Sequence, residues 1–205
     1  HKAKQNGAPL PRARELLGIL LTVTFAPEDL MLVKGDPSER RKFMDDSITQ
    51  LIPSFAGVRA DFEKSLKQRN ALLKSAYGKR TDDVMHTLDV WDVHGAKAGA
   101  AVMYHRLKLV ENMQALVSDA YTKVSDDRGP LEISYVSNLE VPSGELSIAL
   151  IESAMLEALA VKRNSELDRG VTLVGPHRDE LQLMLRDLPV RGYASHGESW
   201  SCALA

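Results

Sequence analysis

Residues Asp82 to Val124, "DDVMHTLDVWDVHGAKAGAAVMYHRLKLVENMQALVSDAYTKV", govern how the rest of the chain can be arranged. The run contains no proline. Leu88, Trp91, Ala98, Val102, Leu109, Met113, Leu116 and Ala120 return in it at three- and four-residue steps, the period of one helical face. A continuous helix of that length measures roughly 60 Å at about 1.5 Å per residue, which exceeds the width of a small domain. It is therefore expected to project from a body as one limb of a long antiparallel helical hairpin. The other limb precedes the break at Gly78-Lys79-Arg80, where Phe55, Val58, Phe62, Leu66, Leu73 and Ala76 form a second stripe. Gly95 and Gly99 either let the two limbs approach closely or bend the longer one.

Outward from the hairpin the period changes. On the amino-terminal side, "GDPSERRKFMDD" predicts a helix start, with Asp36 as cap, Pro37 at the first helical position and Glu39 as capping-box partner. Residues 19–25, "ILLTVTF", read as a buried strand ahead of the turn Ala26-Pro27-Glu28-Asp29. On the carboxyl side "LEISYVS", Leu131 to Ser137, alternates as a strand does. A helix follows from about Glu145 to Asp168, closed by Gly170. Then come "VTLV", a Gly175-Pro176 turn, and "LQLML", whose Leu181, Leu183 and Leu185 share a face. The pattern is an α/β body interrupted by an all-helical arm. The chain starts at His1 without Met and stops as a new helix opens, so a fragment of a larger protein is expected.

Bulk properties exclude several classes. With 205 residues, 44% hydrophobic and 26% charged, the chain can bury a core and is not disordered. A net charge of −2 provides no overall basic field, so any nucleic acid must be held by a local patch. One cysteine, Cys202, rules out an internal disulfide and a cysteine zinc cluster, and the six histidines include no H-x-x-x-H pair; no metal site is read. No apolar stretch reaches the length of a membrane span, and the reducing cytoplasm is the expected compartment.

Three groups of residues carry possible chemistry. Ser195-His196-Gly197-Glu198 opens the final helix and sets a hydroxyl and unpaired N–H groups at its positive end, either as a phosphate site or as an ordinary cap. A hydrolase elbow needs G-x-S-x-G, and Tyr193 stands where its first glycine belongs. Cys202, inside that helix, reads as packed. In Gly175-Pro176-His177-Arg178-Asp179 the His-Arg-Asp triplet lacks the Asn that a kinase loop would have at Met184. It is either a polar turn or a place where Arg178 offers its fork to an anion or an interface carboxylate. From Arg59 to Arg80, seven basic residues, including Lys64, Lys67, Arg69 and Lys74, face two acidic ones, Asp61 and Glu63. That face either contacts nucleic-acid phosphates or is simply solvated. Arg40 and Arg41 divide the same way, with Asp45 and Asp46 one turn off as candidate partners.

Five blocks taken together, "TFAPEDLMLVKGDPSERRKFMDD" (from Thr24), "QRNALLK" (from Gln68), "TLDVWD" (from Thr87), "VTLVGPHRDEL" (from Val171) and "ASHGE" (from Ala194), resemble in order the RecF family of DNA replication and repair proteins. That family belongs to the SMC-like ABC-type ATPases, whose P-loop head carries an inserted helical arm. The resemblance implies an end of the first half-head over 1–35 and a first part of the arm over 36–128. The rest of the arm with a return strand and helix would cover 129–169, and the second half-head 170–205. It implies that Ser195, His196, Gly197 and Glu198 form the signature that grips ATP of the partner subunit. Phe25, Pro27, Glu28 and Asp29 would form the nucleotide-sensing loop, near Mg²⁺ but without the usual Gln. Where many relatives continue the signature as Gln-Gln-Arg, this chain has Ser199-Trp200 after Glu198, so that arginine's role does not transfer. No G-x-x-x-x-G-K-[ST] occurs, and the acidic strand expected after the signature lies beyond Ala205, so the 205 residues alone are expected neither to bind ATP tightly nor to hydrolyse it. The intact protein is implied to be an ATP-dependent homodimer that recognises gapped or junction DNA. With RecO and RecR it would load RecA in repair and the SOS response. A stand-alone helical module that binds proteins or DNA without nucleotide chemistry is the alternative.

Overall fold

A computed structural model describes residues 4–11, 24–125, 129–140 and 146–205. The strand expected over 19–25 lies outside the described residues except for Thr24 and Phe25, which are not in a strand. The chain begins with a minute hairpin, β1 (Lys4–Gln5) against β2 (Ala8–Pro9). A 3-10 turn, Pro27–Asp29, leads into α1 (Leu30–Lys34), α2 (Pro37–Leu51), α3 (Phe55–Ala76) and α4 (Asp82–Val124). After β3 (Leu131–Val136) come α5 (Ile148–Arg169), β4 (Glu180–Leu185), β5 (Leu188–Pro189), the kinked α6 (Val190–Tyr193) and α7 (His196–Leu204).

The long helix is continuous, 43 residues without a break, but it does not serve one neighbour along its whole length. Its first half packs between α3 and α5, so the expected two-helix hairpin is a three-helix layer there. Small residues make this possible: Ala96 and Ala100 are fully buried, and a Cβ on Gly99 would lie 2.7 Å from Met155 Cε. Nothing crowds a Cβ at Gly95, so only Gly99 is a point of close approach. The second half, through Leu109, Val110, Val117 and Tyr121, is buried on β3, whereas Leu116 is exposed.

The sheet is antiparallel, in the order β3-β4-β5. Register pairs Leu131 with Leu185, Ile133 with Leu183 and Tyr135 with Leu181, which gathers the alternate apolar residues of both strands on the face that meets α4. The parallel sheet expected of a P-loop head does not occur among the described residues, which are mostly helical. "VTLV" is not a strand. Asn70 Oδ1 accepts from Thr172 N at 2.8 Å, and Glu166 Oε1 accepts from Leu173 N at 2.6 Å, so helix side chains satisfy donors that a partner strand would otherwise take. Pro37 does open α2, but the Asp36 carboxylate turns to Arg191 at 3.3 Å instead of capping the helix. No described helix is long and apolar enough to cross a membrane.

Candidate functional site

The start of α7 is built by a reciprocal cap. Ser195 Oγ accepts from Glu198 N at 3.2 Å, and the Glu198 carboxylate accepts from Ser195 N at 2.8 Å, which holds that carboxyl below its usual range. Glu198 also pairs with Arg186. The remaining first-turn N–H groups have no intrahelical acceptor, and a Cβ on Gly197 would meet nothing within 4 Å, so the backbone there is bare. Trp200 Nε1 donates to His196 Nε2 at 2.9 Å. Because an indole can only donate, Nε2 accepts and Nδ1 of the neutral ring carries the proton. Lys34 Nζ lies 3.3 Å from that Nδ1. Two donors converge there, an arrangement that an acceptor oxygen within hydrogen-bond reach of both would satisfy.

The loop before α1 is part of the same place. Phe25 meets Trp200 edge-on at 5.7 Å between ring centroids, and Arg191 reaches Asp36. Asp29 accepts from Ala26 N at 2.6 Å, which closes the 3-10 turn, while Glu28 stays exposed. The residues singled out at 25–29 and at 195–198 thus lie together, with Lys34 between them. The sequence reading missed Lys34, whose only signal was its place inside the block that starts at Thr24. Cys202 is buried, and burial with the Glu198 charge pushes its thiol up to about 11, so it is packed and unreactive.

The Gly175–Asp179 turn sits at the other end of β4, roughly 20 Å away at about 3.4 Å per strand residue. Gly175 has φ 121°, a conformation that demands glycine, and a Cβ there would also have to displace the end of the Met155 side chain, 2.9 Å away. The Arg178 fork is spent internally: Nε and Nη2 both donate to Thr172 O, at 3.1 and 2.9 Å, and His177 Nε2 lies 3.1 Å from the same oxygen. Asp179 is buried, accepts from Tyr135 and, at 2.8 Å, from Ser137, and burial raises its carboxyl despite those bonds.

Two of the expected DNA contacts are not available. Arg69 is buried; it donates to Asp92 at 2.6 Å, to Glu166 at 2.6 Å and to Thr172 Oγ1 at 2.9 Å. Arg40 is buried as well, forked onto Glu180 at 2.7 and 2.9 Å and donating to Leu32 O and Gly35 O. Both charges neutralise carboxylates that burial would otherwise make costly, and the carboxylates lie on distant segments. Arg59 and Arg80 are also paired, with Glu63 and Asp168. Lys64, Lys67 and Lys74 stay exposed on α3. Arg41 does not pair with Asp45 or Asp46; its Nη1 donates to Asp179 O at 3.0 Å. Asp45 instead takes the Arg106 fork at 2.8 and 2.9 Å, a partner the sequence reading did not single out.

The Arg69 cluster joins blocks that lie far apart in the sequence. Arg69 and Asn70 come from "QRNALLK", Asp92 from "TLDVWD" and Thr172 from "VTLVGPHRDEL", and one buried network joins all three. Among the described residues no group of His, Cys, Asp and Glu is arranged to hold a metal ion.

Comparison with known proteins finds no matching family model. Curated relatives called DNA replication and repair protein RecF match the whole chain: 48% identical in Kineococcus radiotolerans, 49% in Streptomyces avermitilis and 47% in Beutenbergia cavernae. The chain spans about half the length of these relatives, 55%, 56% and 57% respectively. Two solved structures of the recombination mediator protein RecF in the RecFOR pathway, RecF-ATPrS and RecF-ATP, superpose with TM-scores of 0.83 and 0.85. Their identities are 27% and 29%; the matches cover 97% and 99% of this chain and 52% and 53% of theirs. Sequence and backbone agree, and these 205 residues belong to the RecF family.

Proposed function

We propose that the chain is part of a longer RecF-like DNA repair ATPase and supplies the half-site that acts on ATP bound by a second subunit. The observation that carries this reading is the convergence at the start of α7. The bare backbone at Gly197, the Ser195 hydroxyl, and the Lys34 and His196 donors 3.3 Å apart face one exposed patch. Such a patch offers donors and positive potential, and its Glu198 carboxylate is already bound to Ser195 and Arg186. It fits the terminal phosphate of ATP, whose charge it would share across a dimer interface. Phe25 and the Pro27-Glu28-Asp29 turn pack beside it and would transmit nucleotide occupancy to α1 and α2. The Mg²⁺ of the bound nucleotide would be held by residues outside the 205, and so would the phosphate-cradling loop.

In this reading residues 36–169 form the arm with its return strand and helix, residues 170–205 open the second half of the head, and the fragment alone has no ATPase activity. The ATP-bound dimer would bind DNA at gaps or junctions, with Lys64, Lys67, Lys74 and Arg41 as contacts, and act with RecO, RecR and RecA. The test is Ser195→Arg in the full-length protein that carries this chain. A bulky cation at the cap should abolish ATP-driven dimers in sedimentation while leaving ATP binding by the monomer within about twofold. A dimer fraction equal to that of the unaltered protein rejects the proposal.

A further inference from the structure

Between α2, α3, α4 and the Gly175–Asp179 turn lies a pocket of about 190 Å³ that the signature site does not use. Pockets that take drug-sized ligands run to roughly 300–1,000 Å³, so this one suits a single small group. Four cations line it, Arg41, Lys42, Arg59 and Arg106, against two carboxylates, Asp45 and Glu63. Arg106 is forked onto Asp45 and also donates to Pro176 O at 2.7 Å; Arg59 is bound to Glu63 at 2.8 Å. Those pairs leave Arg41 and Lys42 as the surplus.

Arg41 is half-buried; among the described residues its one hydrogen bond goes to the Asp179 carbonyl, and no carboxylate lies within ion-pair distance of it. Burial, and after it the neighbouring Arg106, lowers its pKa against the opposing pull of Glu180, Asp179 and Asp45. The remaining N–H groups of Arg41 are not buried, so the guanidinium can offer them to an anion that enters the pocket. Ser38, Arg41 and Lys42 stand at i, i+3 and i+4 and so share one face of α2, which gives the pocket a hydroxyl, a planar fork and an ammonium.

We propose that this pocket binds one phosphate oxyanion, and that its source is the DNA backbone. The source follows from what leads away from the pocket. The half-buried Arg59 and the exposed Glu63 line it, and the exposed Lys67 and Lys74 follow on the same side of α3. Lys67 lies about 12 Å from Arg59 at ~1.5 Å per residue. A strand whose phosphate sits on Arg41 and Lys42 would pass along that side. The proposal rests on the DNA-binding reading given above and assigns it a fixed point.

The test measures affinity for a fluorescein-labelled duplex by anisotropy between 50 and 200 mM KCl, on full-length protein with Lys42→Glu or, as a second variant on the exposed rim, Ser38→Glu. Each should weaken binding about tenfold and lower the slope of log affinity against log salt by ~1, without moving the melting temperature. If the unaltered protein binds the duplex and both variants match it, the pocket proposal is overturned while DNA binding stands. If the unaltered protein binds no duplex, the DNA reading fails. Titration with inorganic phosphate, and separately with ATP, followed by the Arg41 Nε–H resonance, then decides the pocket. A shift abolished by Lys42→Glu keeps an oxyanion site fed by a free phosphate compound, and no shift removes it.

Discussion

His177 shows how one residue's surroundings become a property of the whole. Burial, with Arg178, Arg41 and Arg69 nearby, pulls its imidazole down to about 4, although Thr172 O accepts from it. In the unfolded chain the ring takes up its proton near pH ~6.5, and in the folded protein only near 4. Between these values the unfolded state binds more protons, so stability rises with pH and is lost on acidification through that window. The size is on the order of 3 kcal/mol, at about 1.36 kcal/mol per unit. Urea midpoints at pH 7 and pH 4.5 should therefore differ more for the unaltered protein than for His177→Gln. Asp179, raised by burial, works in the opposite sense, but both proteins carry it and it drops out of the comparison.

At the scale of the element, α4 carries two glycines four residues apart that do different things. Gly99 lies where a Cβ would be 2.7 Å from Met155 Cε, 2.9 Å from its Sδ and 3.2 Å from Phe62 Cε2. Gly99→Ala must displace the buried Met155 thioether and press on Phe62, an overpacking cost of about 2 kcal/mol within a range of ~1–3 kcal/mol, set against the ~1 kcal/mol that alanine contributes to helix formation. Gly95→Ala meets nothing within 4 Å and should stabilise by about 0.5–1 kcal/mol. Thermal melts of the two variants should move in opposite directions. The helix itself was legible in the sequence because its period, its lack of proline and its length are local facts. Which glycine was the contact was not legible, because that depends on where Met155 of α5 and Phe62 of α3 arrive.

On the scale of the molecule, the Arg69 network ties three helices to the loop that precedes the Gly175–Asp179 turn. Asp92 is shared with Arg163, which also pairs with Asp89 at 2.7 Å, so removing Glu166 leaves the buried Arg69 with one shared carboxylate where it had two. Glu166→Ala should cost about 3–5 kcal/mol in urea unfolding; a loss under 1 kcal/mol would mean that the network contributes little to holding these elements together. Periodicity, turn chemistry and the Ser195 cap were determined by the sequence alone, since each rests on residues within a turn or two of one another. So were the alternation of β3 and the family pattern. Tertiary structure alone decided which charges are spent and which are free. Arg69 and Arg40 read as surface cations beside exposed lysines, yet their partners Glu166 and Glu180 lie 97 and 140 residues away. Charge pairing acts through space at a few ångströms, and only the packed fold brings such distant residues that close.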